Sequence, residues 1–258
     1  MPDSHERHFR KSPKQPQAAL AEAAGLRWLG EASGAVVRVV EADETSITTE
    51  RVSPKRPTPD AARQAGRELA SIHLAGATSF GAPPAPGGKT WDGLNYIGRQ
   101  TQPCEPSDSW GEFYATQRVL PFLRAAVDCG HVDESGARIV AKACEVIADA
   151  SWDVAPARIH GDLWAGNLLF GREGPAFIDP AAHGGHPETD LAMLALFGAP
   201  FLDEIRSGYQ EVRPLEPDWL DYTEMHQLHP LAVHAVSHGP SYGDALIDAA
   251  RRTLAVLR

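Results

Sequence analysis

The run Arg158-Ile159-His160-Gly161-Asp162-Leu163-Trp164-Ala165-Gly166-Asn167, followed by Ile178-Asp179-Pro180, constrains this chain more than any other stretch. Two short apolar segments, Asn167 to Phe170 and Pro175 to Asp179, flank Gly171 to Gly174 and read as the strands of a hairpin. A tight turn brings the outer ends of its strands together. Asn167 opens the first strand and Asp179 closes the second, so their oxygens can share one small cation, and Mg²⁺ prefers such hard ligands. Asp162 lies in a loop facing the same place. One carboxylate to receive a hydroxyl proton, beside an Asn and an Asp to hold metal, suits phosphoryl transfer.

The chain divides near residue 52. Residues 1–52 hold a short segment ending in Arg10-Lys11, a helix from Ala18 to Gly30, and two strand-like runs, Ala35 to Val40 and Ser46 to Val52. Residues 53–258 are almost entirely helical in periodicity. Helices are expected from Asp60 to Ala75, Ser109 to Val127 despite Pro121, Asp133 to Ala150, Glu188 to Phe197, Pro217 to Val236 and Tyr242 to Leu257. Gly81 to Gly93 reads as a Pro/Gly-rich loop. The fold class is therefore α+β: a small mixed lobe, then a large helical one, with a ligand cleft between them.

Glu22 projects from the apolar helix face that carries Ala19, Leu26 and Leu29, where a carboxylate is costly unless paired. A lysine on the neighbouring strand would satisfy it. Lys11 is the candidate and Lys14 its competitor.

Charge narrows the partners. The 258-residue chain carries a formal charge of −10, which argues against a nucleic-acid or anionic-membrane surface. Its three cysteines, Cys104, Cys129 and Cys144, form no CxxC pair and read as reduced thiols. The start of the chain is polar, and the longest apolar-rich stretch, Leu191 to Leu202, contains Gly198 and Pro200. That is short of a membrane span, so a cytoplasmic protein is expected.

The order Asp, four residues, Asn, then a second Asp resembles the catalytic and metal loops of the protein-kinase-like superfamily. The fuller string His160 to Asn167, with Ile178-Asp179-Pro180, is similar to that of the fructosamine kinase (ketosamine-3-kinase) family. Glu22 to Leu29, Gly81-Ala82-Pro83-Pro84, Trp110 to Tyr114 and Gly185 to Met193 extend the likeness over residues 9 to 258. The resemblance implies a two-lobed kinase fold that uses ATP and Mg²⁺. It implies that Asp162 is the base, that Asn167 and Asp179 hold the metal, and that Lys11 paired with Glu22 holds the phosphates. The backbone of Glu50-Arg51-Val52 would form the hinge that reads adenine. The acceptor would be the 3-hydroxyl of a ketosamine, a fructosamine or ribulosamine on a free amine or a protein lysine, and phosphorylation there would release the amine, a deglycation repair. Kinase-like small lobes begin with a hairpin whose glycine-rich loop covers the phosphates. Only eight residues precede Phe9, so a truncated lobe is expected.

The remaining positions admit two readings each. His160 is a substrate contact or, more simply, a packing residue bonded to backbone. Trp164 is an aromatic plate for the sugar or a core residue. Asp190, at a helix start behind the metal loop, braces that loop in the family. His226, His229, His234 and His238 have helical spacings for zinc, but no carboxylate or thiol is suitably placed along the chain and Pro230 interrupts them. Two other functions compete: a small-molecule kinase of the aminoglycoside or choline type, and a nucleotide-binding pseudokinase.

Overall fold

The computed structural model describes residues 7–257. The expectation of a missing glycine-rich hairpin concerns residues 1–6 and so lies outside the described residues. The small lobe contains strands β1 (His8–Lys11), β2 (Val39–Ala42) and β3 (Ile47–Glu50), antiparallel in the order β1-β3-β2, with helix α1 (Ala18–Gly30) between the first two in sequence. Ala19, Ala23, Leu26 and Leu29 of α1 are buried against the sheet and the large lobe.

The strand expected from Ala35 to Val40 is divided between two partners. Val37 N–H donates to the Phe177 carbonyl at 3.0 Å, and Phe177 N–H donates to the Ala35 carbonyl at 2.7 Å. The first half of the run is thus stitched to the large lobe, and the second half, from Val39, pairs with β3. Register alone cannot reveal such a split, because both halves are equally apolar.

The large lobe opens with α2 (Pro59–Leu74). The Thr58 hydroxyl accepts Ala61 N–H at 3.3 Å and Pro59 occupies the first turn, a strong helix start. A small hairpin, β4 (Tyr96–Ile97) and β5 (Gln100–Thr101), follows. The helix expected from Ser109 to Val127 is α3 (Trp110–Phe113), a π turn (Tyr114–Val119) and α4 (Leu120–Asp128). Pro121 lacks an N–H and its ring would meet the preceding turn, so the helix widens rather than breaks. Next come α5 (Glu134–Asp149) and the strands β6 (Ala157–Ile159), β7 (Leu168–Phe170), β8 (Pro175–Phe177) and β9 (His183–Gly185). β7 and β8 form the expected hairpin. β6 pairs with β9, which the glycine-rich His183-Gly184-Gly185 did not announce.

Four helices complete the lobe: α6 (Glu188–Leu196), α7 (Leu202–Val212), α8 (Thr223–His238) and α9 (Pro240–Val256). The segment expected to be helical from Pro217 begins as a 3₁₀ turn (Trp219–Tyr222) before α8. α7 was not expected. It crosses α2 closely enough that a Cβ on Gly66 would lie 1.9 Å from the Ile205 carbonyl, and one on Gly208 1.9 Å from the Arg63 carbonyl. Only glycine at both positions permits that approach.

Two cores result. One joins α1, α2, α7 and the β7–β8 hairpin across the lobes, through Leu26, Leu69, Phe177 and Tyr209. The other lies among α3 to α5, α8 and α9 around Trp110, Phe122 and Leu246. The three cysteines are free thiols. Among the described residues no helix is long and apolar enough to cross a membrane.

Candidate active site

Asp162 sits in the loop after β6, Asn167 just before β7, and Asp179 two residues beyond β8. The hairpin brings the last two together: Ile178 N–H donates to the Asn167 carbonyl at 3.0 Å. The Asn167 amide donates to the Asp162 carbonyl at 2.8 Å, to Asp162 Oδ2 at 3.3 Å and to the Asp179 carbonyl at 3.4 Å. With the amide nitrogen so engaged, Oδ1 is the atom that Asn167 can offer a cation. Asp179 has φ 54°, a left-handed conformation that costs a non-glycine residue about 1–3 kcal/mol. Its carboxylate is 45% exposed, open to a cation and to solvent.

Lys11 connects the lobes. Its Nζ lies 2.8 Å from Glu22 Oε2 and 2.8 Å from Asp179 Oδ1. Burial pulls the Lys11 pKa down, but Glu22 and Asp179 outweigh it and hold the ammonium above its ordinary range. Glu22 is pushed up to about 7, chiefly by burial, with Lys11 opposing and Asp179 adding to the rise. Asp162 also rises to about 7, from burial first and then from Asp179 and Asp190. Lys14, the competing lysine, is exposed.

A cavity of about 340 Å³ opens onto this ion cluster, walled by Phe9, Val37, Thr49, Leu169 and Ile178 and closed at one end by Glu50-Arg51-Val52. Glu50 N–H is taken by the Arg38 carbonyl and Arg51 N–H by the Arg7 carbonyl. Among the described residues, the Val52 amide, next in this run, has no such partner. A larger groove of about 1190 Å³ on the outer side of the hinge, near Arg27, Glu68 and Arg172, shares the hinge residues but holds none of the ionic cluster.

The loop that carries Asp162 is held from behind. Asp190 accepts His160 N–H at 2.7 Å, Gly161 N–H at 2.9 Å and His73 Nε2 at 3.0 Å. Burial would raise the Asp190 pKa, but His73 and these donors bring it below the ordinary value. His73 Nδ1 in turn meets Tyr209 Oη at 2.8 Å. Gly161 has φ +78°, and a Cβ there would stand 2.4 Å from the Ala181 carbonyl. His160 is 1% exposed; one ring nitrogen faces the Ile178 carbonyl at 2.9 Å and the other faces Asp162 N–H at 3.3 Å. Both nitrogens are spent on backbone, which leaves the ring nothing to offer a substrate. Trp164 is 43% exposed and lies across Gly166, where a Cβ would be 2.2 Å from the indole.

The family model for fructosamine kinase matches residues 3–256. The chain belongs to the fructosamine kinase family. A relative from Enterococcus faecium named "Probable ketoamine kinase" is 31% identical over 70% of this chain; the match spans 63% of its length, under two thirds. The crystal structure of a Thermobifida fusca protein, provisionally named fructosamine-3-kinase, superimposes with TM-score 0.87 at 43% identity, covering 96% of this chain and 85% of the other. A choline/ethanolamine kinase family protein from Mesorhizobium loti shares the fold at 14% identity, with TM-score 0.62 over 98% of this chain and 87% of that one. The protein-kinase-like, α+β class follows.

Two residues of this fructosamine kinase family site were missed in the sequence. His73, inside the expected helix from Asp60 to Ala75, was not singled out, yet it carries Asp190's third bond. Arg158, at the head of the catalytic run, donates to the Trp28 and Gly76 carbonyls and to Glu31, and its guanidinium lies 5.0 Å from the Trp28 ring. Its place two residues before His160 was the only signal.

Proposed function

We propose that this protein transfers the γ-phosphoryl of ATP to the 3-hydroxyl of a ketosamine, a fructosamine or ribulosamine, and so starts release of the amine from its sugar adduct. The observation that carries the reading is Lys11, held between Glu22 and Asp179 at the mouth of the hinge cavity, with Asp162 and Asn167 behind it. Adenine fits between the apolar walls with Val52 N–H on its edge, and Lys11 reaches the phosphates. Asn167 and Asp179 offer the hard oxygens that would hold Mg²⁺, which when bound neutralises charge on the β- and γ-phosphates. Asp162 receives the acceptor's proton, and its fixed position contributes more than its basicity. Trp164 supplies a plate on which the sugar or its linker stacks.

The test is ATP turnover with purified protein and a panel of ketosamines, aminoglycosides and choline-like alcohols, followed by product analysis for phosphate position and freed amine. Turnover confined to the ketosamines, with phosphate on the 3-hydroxyl, is expected. Turnover with an aminoglycoside or choline alone, or nucleotide binding without turnover, overturns the proposal in favour of the neighbouring kinase type or a pseudokinase.

A further inference from the structure

Behind the catalytic loop the fold assembles a second set of ligand atoms. His186 precedes α6, Glu188 opens it, and His226 comes from α8; one ligand atom from each lies within 4.8 Å of the others. His226 Nε2 is 3.6 Å from Glu188 Oε2, beyond hydrogen-bond reach but close to the roughly 3.4 Å that separates two ligand atoms on a tetrahedral zinc. His226 is 1% exposed, and its Nε2 has no hydrogen-bond partner among the described residues. A nitrogen buried without a partner is costly and calls for a ligand. The other ring nitrogen, Nδ1, faces the Thr189 hydroxyl at 3.1 Å. With that nitrogen donating to Thr189, the lone pair falls on Nε2, which is how metal-binding histidines are commonly oriented.

His186 is held differently. Its Nδ1 lone pair accepts Glu188 N–H at 3.2 Å, and the ring would give up that hydrogen bond to offer this nitrogen to a cation. Burial, and then His226, keeps its pKa well below the ordinary value. The Trp110 ring lies against both imidazoles, at 4.9 and 5.1 Å, and its buried Nε1–H is likewise without a partner among the described residues.

We infer that His186, Glu188 and His226 form a zinc site, separate from the phosphate-handling cluster, that fastens the start of α6 to α8. Two imidazoles and a carboxylate suit Zn²⁺ and not Mg²⁺, which prefers oxygen alone. Glu188 is two residues before Asp190, so the ion would stiffen the segment that holds the catalytic loop.

The test uses the full chain, stripped with a chelator and dialysed against Zn²⁺ in excess Mg²⁺, with bound metal measured by mass spectrometry and affinity by chelator competition. About one zinc per chain is expected, with at least a 10-fold loss of affinity in Glu188→Gln and in His226→Gln. Two single variants guard against one that misfolds, and circular dichroism of each metal-free form checks this. Zinc should raise the unfolding temperature of the wild type and not of His226→Gln. Asp179→Asn should keep its zinc, so the result stands apart from any finding about phosphoryl transfer. Zinc uptake far below one per chain, equal affinity in folded Glu188→Gln and His226→Gln, or loss of zinc in Asp179→Asn would each overturn the assignment.

Discussion

Lys11 Nζ stands 2.8 Å from Asp179 Oδ1, so a strand of the small lobe and the loop after the catalytic hairpin share one ammonium. Lys11→Ala should lower ATP affinity by about 100-fold or more, the scale of a removed charge stabiliser. It should also leave Glu22 buried without its cation. Lys14→Ala should leave affinity nearly unchanged. Calorimetric titration of Mg·ATP decides: equal affinities for wild type and Lys11→Ala would move the phosphate-binding role to another residue.

Asp162 and Asp179 should fail in different ways. Asp162→Asn is expected to cut kcat by more than about 100-fold while Mg·ATP still binds, because a positioned base acts on the transition state. Asp179→Asn is expected to weaken metal-dependent nucleotide binding itself. Turnover near the wild-type level in Asp162→Asn contradicts the assignment.

The raised carboxylate of Asp162 sets opposite pH trends for rate and stability. Its pKa in the free enzyme is about 7, so kcat/KM should fall as pH drops through about 7 and the base takes up a proton. Stability works the other way: the folded state holds this proton more tightly than the unfolded chain, so the group's penalty is full above about 7 and gone below the ordinary carboxylate range. Denaturant midpoints should therefore show Asp162→Asn stabilised relative to wild type at about pH 8 and the gain shrinking towards about pH 4. A stability difference independent of pH would show that Asp162 is not perturbed in this way.

Removing Asp190 strands three donors at once. Asp190→Ala leaves the amides of His160 and Gly161 and the His73 ring without their acceptor, at a cost of about 3–5 kcal/mol. Hydrogen exchange should show the Gly161 amide losing protection more than the amides of α9. Unchanged protection at Gly161 would mean that another group braces the loop.

What the sequence disclosed follows from locality. α1 was legible to the residue because its alanines and leucines repeat at the helical period, and the β7–β8 hairpin because Gly171 to Gly174 interrupts two apolar runs. Lys11 and Glu22 were paired from a single carboxylate on an apolar face, and the structure brings them to 2.8 Å. What stayed hidden depends on distant partners. β9 is a strand only because β6 lies beside it, and the short segment Leu202 to Val212 owes its place to two glycines on helices 142 residues apart in sequence, Gly66 and Gly208. Glu188, the carboxylate judged absent for the α8 histidines, approaches His226 from another helix. Pattern reading follows one element at a time, and each of these contacts joins two.

The stitching of Ala35 and Val37 to Phe177 bears on how the chain comes to exist at all. During synthesis the first 52 residues emerge long before Phe177 does, and until then the apolar edge at Val36 and Val37 has no strand to meet. A nascent lobe with such an edge is prone to pair with a neighbour. The cavity beside Lys11, which is lined by both Val37 and Ile178, is complete only after some 140 further residues have left the ribosome. Completion of this cavity is thus a late, long-range event.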